Sequence, residues 1–260
     1  MSETIPAAAA APPPAPRLLP GLTVVLPCFN EAPNVAQAIR EASWAAAWNA
    51  DQHEIVVVDD GSTDGTADIA QDAARTMPGI RVVRHAVNRG YGGALVSGIA
   101  AARMPWVLLT DADLQFDLDQ LEDFVPLAAD NDVVTGWRIA RQDPLRRRMN
   151  AAAWNALVRR VFDLDVRDVD CAFKLIRRDM LDGLPLTSGG AMIDTELLVR
   201  LRARGARLSE LGVRHRPRLA GEQSGANPRV VLRAMRELQA LRRELRSGPV
   251  TATPSTALPA

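Results

Sequence analysis

The chain has 260 residues, of which 47% are hydrophobic, so it can bury the core of one domain of ordinary size. Lysine plus arginine and aspartate plus glutamate each number 31, and this zero net charge gives no indication of nucleic acid as a partner. The two cysteines form neither a disulfide framework nor a zinc motif, which is typical of a reducing compartment, so we expect a cytoplasmic protein.

The two ends of the chain are rich in alanine and proline, which predicts disordered tails at residues 1–20 and 247–260. The first tail lacks the basic segment and leucine-rich core of a signal peptide. No apolar run approaches the roughly 18–20 residues that cross a bilayer. We therefore expect one folded domain over residues 21–246, without a membrane-spanning segment.

The first half of this domain alternates strand-like and helical patterns. Apolar and β-branched runs predict strands at residues 22–27, 54–59, 80–84, 106–110 and 132–137. Helical periodicity or alanine-rich composition predicts helices at residues 34–50, 66–77, 92–103 and 118–129. This alternation predicts an α/β fold with a mostly parallel central sheet flanked by helices, in which ligands bind beyond the carboxyl ends of the strands.

The second half has a different pattern, and we expect it to elaborate the same sheet rather than to form an independent domain. It predicts a basic helix at residues 146–162, a strand at 171–177, a helix at 192–204, a strand at 207–214 and a final helix at 228–246. The domain thus divides into residues 21–137 and residues 138–246.

Polar side chains follow the first, second and fourth predicted strands. Parallel strands bring the loops at their carboxyl ends to one edge of the sheet. Asp111 and Asp113 stand one residue apart after an apolar run, so both carboxylates can reach one divalent cation, and hard oxygen ligands suit Mg²⁺ or Mn²⁺. The alternative is an ordinary turn in which Asp113 caps the next helix. Convergence of the three loops favours a shared site.

Four motifs carry these residues in a fixed order: Pro27-x-x-Asn30-Glu31, Asp59-Asp60-Gly-Ser-x-Asp64, Asn88-Arg-Gly90 and Asp111-Ala-Asp113-Leu-Gln115. They resemble family 2 glycosyltransferases of GT-A fold. The last motif, together with Asp170-Cys-Ala-Phe-Lys174, resembles the dolichyl- or polyprenyl-phosphate sugar transferase branch, which includes dolichol-phosphate mannosyltransferase. A dinucleotide fingerprint is excluded, because its third glycine would fall on Leu95.

The resemblance implies that residues 21–137 bind a nucleotide sugar. Pro27, Asn30 and Glu31 would line the nucleotide pocket, with Asp59 at the base and Asp60 near the ribose. Arg89 and Gly90 would lie beside the diphosphate. Asp111, Asp113 and Gln115 would hold Mg²⁺ or Mn²⁺, and Asp111 would also serve the ribose. The ion would offset charge on the departing nucleoside diphosphate.

The resemblance also implies an acceptor site in residues 138–246. Arg138 and Arg147 fit the places of two arginines that contact a lipid phosphate in that branch, although Ala151 replaces its usual serine. Arg218 lies in a segment similar to a mobile loop that closes over the donor. For the basic helix a solvated surface is the alternative, and for Arg218 an ordinary exposed loop.

Glu196 is the candidate catalytic base, with Asp194 as an alternative. A phosphate acceptor is already ionised near neutral pH and needs little help from a base, whereas a sugar hydroxyl would need one. A polar residue on a helix edge is the simpler interpretation of Glu196.

These features predict a metal-dependent, inverting glycosyltransferase that moves a hexose from GDP-mannose or UDP-glucose to a polyprenyl or dolichyl phosphate. The basic final helix suggests peripheral contact at the cytosolic membrane face, or a small membrane-anchoring partner. Two alternatives remain open. One is a soluble family 2 transferase that acts on a hydroxyl of a small molecule, protein or glycan, and the other is a nucleotide-sugar-binding subunit without activity.

Overall fold

The computed structural model describes residues 18–139, 145–190, 192–217 and 228–246, with the backbone alone at residues 145–148 and 228–232. The strands are β1 Leu22–Cys28, β2 His53–Asp59, β3 Ile80–Arg84, β4 Trp106–Leu109, β5 Val133–Ile139, β6 Lys174–Arg177 and β7 Leu208–Arg214. The helices are α1 Val35–Asn49, α2 Thr66–Thr76, α3 Gly90–Ala101, α4 Leu121–Phe124, α5 Leu145–Phe162, α6 Met192–Ala203 and α7 Pro228–Arg246. Among the described residues, no helix combines the length and the apolar character needed to cross a membrane.

The strands form one sheet in the order β3-β2-β1-β4-β6-β5-β7. Strands β1 to β4 pair in parallel, β5 and β7 pair in parallel, and β6 runs antiparallel to both β4 and β5. The chain moves outward from β1 through β2 to β3 and then returns to place β4 on the other side of β1. This reversal creates a crevice beyond the carboxyl ends of β1 and β4, where such sheets bind ligands.

Both faces of the sheet are covered, because alternate residues of its strands point in opposite directions. Val24 and Leu26 of β1 join a buried cluster with α1, α2 and α4. Val25 joins a second cluster with α3, α5, α6 and α7. Helix α3 lies so close to β1 that a Cβ on Gly98 would come within 2.2 Å of Val25 Cγ1. The predicted mostly parallel, helix-flanked sheet is therefore confirmed, including the contribution of the second half.

Two predicted elements differ from the structure. The helix predicted at residues 118–129 is divided into a 3₁₀ turn Leu118–Gln120, helix α4 and a second 3₁₀ turn Pro126–Ala129. Pro126 has no backbone N–H to continue an α-helix, which accounts for the break. The strand predicted at residues 171–177 begins only at Lys174, because a turn precedes it in which the Cys171 N–H donates to the Asp168 carbonyl.

Candidate active site

The loops after β1 and β2 are joined by reciprocal hydrogen bonds. The Asn30 N–H donates to Ser62 Oγ at 2.9 Å, and the Thr63 N–H donates to Asn30 Oδ1 at 3.0 Å. Asn30 has a φ of 55°, a left-handed conformation that asparagine tolerates better than most residues. The structure thus brings together two of the predicted nucleotide-binding motifs, and Pro27 lies half-buried where β1 runs into this junction.

Glu31 and Asp64 strengthen the same junction. The Glu31 N–H donates to Thr66 Oγ1 at 2.9 Å, while the Glu31 carboxylate accepts a hydrogen bond from Asn34 Nδ2 at 2.7 Å. Asp64 accepts the Ala32 N–H at 3.0 Å and hydrogen bonds from Thr66. These contacts fix the path of the chain between β1 and α1, and they make Glu31 a buried part of the loop.

Asp59, at the end of β2, is a fully buried carboxylate with an unused acceptor. Its Oδ1 accepts the Ser62 N–H at 3.3 Å, whereas Oδ2 has no hydrogen-bond partner and lies 3.6 Å from Nε of the exposed Arg84. A buried carboxylate oxygen without a hydrogen bond is costly, so the site gains stability when a ligand supplies a donor. An N–H group of a nucleotide base has the required chemistry.

Asp60 holds the turn that begins α3. Its Oδ1 accepts the Arg89 N–H at 2.8 Å, and its Oδ2 accepts the Gly90 N–H at 2.8 Å. Asp60 Oδ1 also lies 2.6 Å from Nδ1 of the buried His85, whose Nε2 lies 2.8 Å from Ser97 Oγ. Asp60 therefore fixes the predicted diphosphate-binding residues, and its predicted place near the ribose stays a prediction.

The turn at Gly90 also packs against a second loop. Gly90 has a φ of 82°, and a Cβ at this position would come within 2.5 Å of the Gly189 carbonyl oxygen. The Gly92 N–H donates to the same carbonyl at 3.2 Å. Because only glycine fits this close approach, the first turn of α3 and the loop around Gly189 form one unit.

Asp111 and Asp113 lie together beyond β4, as their spacing predicts. Burial and the charges of Asp113 and Asp194 raise the pKa of Asp111 to about 7, although a hydrogen bond from Tyr91 and the charge of Lys174 oppose this rise. The Gln115 N–H donates to Asp113 Oδ1 at 3.1 Å. The charge of Asp113 thus opposes ionisation of Asp111, and a bound cation would offset this repulsion.

Gln115 connects the aspartate loop to the end of β7. Its side-chain Nε2 donates to the Arg216 carbonyl at 3.0 Å, and the Arg216 N–H donates back to the Gln115 carbonyl at 2.7 Å. The side-chain amide oxygen is the atom that could bind a metal. Arg218 itself falls outside the described residues, so its predicted role over the donor stays a prediction.

The donor set fits a hard divalent ion that binds together with its substrate. Within the described part of the chain, no group of three or more His, Cys, Asp or Glu side chains could hold a metal ion. Asp111, Asp113 and Gln115 offer two carboxylates and one amide oxygen in the loop after β4. Mg²⁺ commonly binds through one or two carboxylates and completes its shell with phosphate oxygens and water, and Mn²⁺ accepts the same ligands.

A buried lysine lies behind the aspartate pair. Lys174 on β6 donates from Nζ to Asp194 Oδ1 at 2.6 Å and to the Cys171 carbonyl. Burial and the charges of Asp194 and Asp168 raise the pKa of Asp170 to about 6. Lys174 therefore supplies positive charge to a region where buried acids otherwise repel one another.

Glu196 is buried and engaged by several donors. Its carboxylate accepts the Ser188 N–H at 2.7 Å, the Thr187 N–H at 3.0 Å and Arg200 Nε at 2.8 Å. Burial opposes ionisation, yet the hydrogen bonds from Ser188, Thr187 and Arg200 hold the pKa of Glu196 below its usual range. Such a carboxylate is a weak base, and its contacts hold the loop that packs on Gly90.

Of the predicted phosphate-binding arginines, Arg138 is the one whose side chain is described. Its Nε and Nη2 donate to the two oxygens of Asp168, both at 2.7 Å, in a largely buried pair. Arg147 lies in the first turn of α5, but its side chain falls outside the described residues. Contact of either arginine with a lipid phosphate stays a prediction.

A family model described as Glycosyl transferase family 2 matches residues 23–184 of the chain. The chain belongs to glycosyltransferase family 2. Glycosyltransferase AglD from Haloferax volcanii is 33% identical over 208 residues, which cover 76% of this chain and 33% of AglD. Undecaprenyl-phosphate 4-deoxy-4-formamido-L-arabinose transferase from Pseudomonas fluorescens is 32% identical over 192 residues, covering 68% of this chain and 56% of the relative. The chain thus spans between a third and just over half of the length of these relatives.

Solved structures show the same fold. Mannosyl-3-phosphoglycerate synthase from Rubrobacter xylanophilus superposes with a TM-score of 0.64 at 21% identity, covering 92% of this chain and 78% of that one. Glucosyl-3-phosphoglycerate synthase from Mycobacterium tuberculosis, solved with Mn²⁺, UDP and glucosyl-3-phosphoglycerate, gives 0.61 at 21% identity, covering 87% and 77%. The predicted GT-A fold and the resemblance to family 2 and its polyprenyl-phosphate sugar transferases are confirmed.

Several residues of this family 2 site were not predicted from sequence. His85 and Tyr91 support Asp60 and Asp111. The ion pair between Lys174 and Asp194 was also not predicted, although Lys174 belongs to a predicted motif and Asp194 was the alternative catalytic base. His85 directly follows β3, so a fourth strand end with a polar residue was a usable signal. Nothing local to Tyr91 indicates its contact with Asp111, which arises because α3 packs across β1 and β2.

Proposed function

We propose that the chain is a metal-dependent, inverting glycosyltransferase that moves a hexose from a nucleotide sugar to a polyprenyl or dolichyl phosphate. The observation that carries this proposal is the Asp111–Asp113 pair with Gln115. These residues follow β4 at the same edge of the sheet as Asp59, which ends β2, and Asp60, which follows it. The relative from Pseudomonas fluorescens, whose name states undecaprenyl phosphate as acceptor, supports the acceptor class.

On the donor side, the chain's own groups bind and orient the nucleotide sugar. Asp59 accepts a hydrogen bond from the base through its unused Oδ2. Asp60 fixes the Arg89 to Gly90 turn, so that Arg89 and the positive end of the α3 dipole lie beside the diphosphate. GDP-mannose and UDP-glucose are the proposed donors, because the Asp59 acceptor and the turn held by Asp60 suit either nucleotide.

Asp111, Asp113 and Gln115 are the residues that would hold Mg²⁺ or Mn²⁺. When bound, the ion offsets the negative charge that builds on the departing nucleoside diphosphate. Tyr91 and Lys174 moderate the repulsion between the buried acids, which keeps the Asp111 carboxylate available. The acceptor approaches from the side opposite the leaving group, in a single displacement that inverts the anomeric carbon.

The state of Glu196 favours a phosphate over a hydroxyl as acceptor. A sugar or protein hydroxyl must lose a proton to a base as it attacks, whereas a phosphate monoester arrives ionised. With its carboxylate occupied by Thr187, Ser188 and Arg200, Glu196 is poorly suited to take a proton. We place the reaction at the cytosolic face of a membrane, since the proposed acceptor is a lipid.

The proposal is tested by incubating the full chain with radiolabelled nucleotide sugars, Mg²⁺ or Mn²⁺ and undecaprenyl phosphate. The donor panel includes GDP-mannose, UDP-glucose and UDP-4-deoxy-4-formamido-L-arabinose. Label that enters the organic phase only with metal supports the proposal. Label in an aqueous product would instead indicate a soluble hydroxyl transferase, and binding without turnover a non-catalytic subunit.

A matched pair of variants tests the metal site. Asp113→Asn is expected to reduce transfer by roughly a hundredfold or more, since it removes a charge from the ion's ligands. Asp119→Asn makes the same change on an exposed residue of the neighbouring 3₁₀ turn and is expected to leave transfer unchanged. Normal transfer by Asp113→Asn would show that the metal assignment is wrong.

A further inference from the structure

The C-terminal ends of α5, α6 and α7 surround a groove of about 410 Å³ on the outside of the molecule. Four exposed arginines line it, namely Arg160, Arg202, Arg242 and Arg246. Apolar side chains, including Phe162 and Leu245, lie between them, and Leu245 is 36% exposed. One exposed acid, Asp163, also lines the groove, so the four arginines leave an excess of positive charge beside the apolar surface.

The positive charge belongs to this face of the molecule and not to the chain as a whole, whose net charge is zero. Helix α5 has five arginines and no acidic residue, and α7 has six arginines and two glutamates. Both glutamates are already paired, Glu237 with Arg233 at 2.7 Å and Glu244 with Arg200 at 2.8 Å. The four arginines of the groove form no ion pair within the described part of the chain. Such a face attracts anions.

The apolar surface continues from the groove along α5. Met149 is 63% exposed, and the exposed side of the helix between Met149 and Arg160 is formed by Ala152, Ala153 and Ala156 together with the polar Asn150 and Arg159. This side leads to the first turn of α5, where Arg147 lies. A helix that exposes methionine and alanine side chains between two groups of arginines can rest on the surface of an anionic bilayer.

We propose that this basic face, formed by the outer side of α5 and the arginine-lined groove, binds the surface of an anionic phospholipid bilayer. Phospholipid phosphates would pair with the arginines, and acyl chains would contact Met149, Phe162 and Leu245. A soluble anion needs no apolar contact of this extent, and Phe162 is the one aromatic side chain among the residues that line the groove, whereas a nucleic acid stacks successive bases on several. This inference rests on the proposed function, since the basic face would serve to bring the enzyme to a lipid acceptor.

The test is co-sedimentation of the full chain with vesicles of phosphatidylcholine alone or of phosphatidylcholine and phosphatidylglycerol in equal parts. We expect binding to the anionic vesicles that is lost in high salt. The double variant Arg242→Glu with Arg246→Glu is expected to weaken this binding tenfold or more, since each basic residue near an anionic surface contributes about a fivefold change in affinity. The control, Arg40→Glu with Arg75→Glu, makes the same charge change on exposed residues of α1 and α2, which cover the other side of the sheet, and is expected to bind like the unaltered chain.

Equal binding to neutral and anionic vesicles, or unaltered binding by the groove variant, would overturn the inference. So would tighter binding to a single-stranded RNA than to the vesicles. Transfer to a short, water-soluble prenyl phosphate separates this inference from the proposed function. If the groove variant loses vesicle binding but keeps this transfer, both are supported. If the unaltered chain binds anionic vesicles but transfers nothing, the proposed function fails and the membrane surface stands.

Discussion

At the scale of single residues, the negative charge of Asp113 disfavours ionisation of the neighbouring Asp111 when no cation is bound. Burial and the charge of Asp113 raise the pKa of Asp111 from 3.8 to about 7. Between these pH values the folded chain keeps a proton on Asp111 that the unfolded chain has released. Since the folded state then binds more protons, the free energy of unfolding falls as the pH rises through this interval.

Asp113→Asn removes that repulsion and tests this argument. In the absence of metal at alkaline pH, the variant is expected to be more stable than the unaltered chain by about 1 kcal/mol. Mn²⁺ should raise the melting temperature of the unaltered chain and leave that of the variant unchanged. Thermal unfolding with EDTA and with Mn²⁺ measures both effects. A variant that is less stable without metal, or that Mn²⁺ still stabilises, would contradict the prediction.

Glu196 gives a second prediction at this scale, because a base and a positioning residue respond differently to Glu196→Gln. Loss of its charge leaves the buried Arg200 with Glu244 as its remaining carboxylate partner and weakens the bonds to Thr187 and Ser188. We expect the free energy of unfolding to fall by about 2 to 4 kcal/mol. The donor KM should rise, since the held loop packs on Gly90.

Steady-state kinetics across pH distinguish the two roles of Glu196. A positioning residue changes the donor KM more than kcat and leaves the shape of the pH profile intact. Loss of a catalytic base would instead lower kcat by roughly a hundredfold or more and remove a limb of the profile. Glu244→Gln is the control, since it weakens only the partly exposed pair with Arg200.

At the scale of elements, the first turn of α3 depends on its close approach to the loop around Gly189. A Cβ on Gly92 would lie 2.0 Å from the Ser188 carbonyl oxygen, so Gly92→Ala must separate the helix from the loop. We expect a loss of about 2 to 4 kcal/mol in stability and at least tenfold weaker binding of UDP or GDP with Mn²⁺. Urea unfolding and calorimetric titration measure these effects.

The neighbouring Gly190 supplies the control for that variant. A Cβ on Gly190 would meet nothing within 4 Å, so Gly190→Ala should change stability and nucleotide binding little. If the two alanine variants behave alike, the close approach of α3 to the loop is not what positions the diphosphate-binding turn.

The elements also show what sequence can and cannot predict. Strands β1 to β4 were predicted within about two residues, because apolar β-branched runs stop at glycine, proline or acidic residues. The helix predicted at residues 118–129 does not continue past Pro126, and the prediction missed this break because the helical pattern extends on both sides of the proline. Pairs such as Arg138 with Asp168 depend on tertiary contacts between distant segments, and no local pattern reports them. The loops after β1, β2 and β4 were predictable as neighbours because parallel topology alone brings them to one edge.

At the scale of the whole molecule, the family match ends at residue 184, yet the second half completes the structure around the donor site. Helix α7 is joined to α6 through Glu244 and Arg200, and α6 holds the loop beside Gly90 through Glu196. Leu241 of α7 is 5% exposed and belongs to the same core cluster as Val25 of the central strand β1. The donor site and the C-terminal helix should therefore unfold together.

Leu241→Ala tests whether the donor site and α7 unfold together. Leu245→Ala, the same change four residues along the helix, is its control. Truncation of the buried Leu241 is expected to lower the free energy of unfolding by about 2 to 4 kcal/mol, whereas truncation of the exposed Leu245 should cost under about 0.5 kcal/mol. In urea, the helical circular dichroism signal, to which α7 contributes, and binding of a fluorescent nucleotide should be lost in a single transition for both variants. If α7 melts first while nucleotide binding persists, the connection from Glu244 to the Gly90 turn carries no stability, and the two halves of the domain are energetically separate.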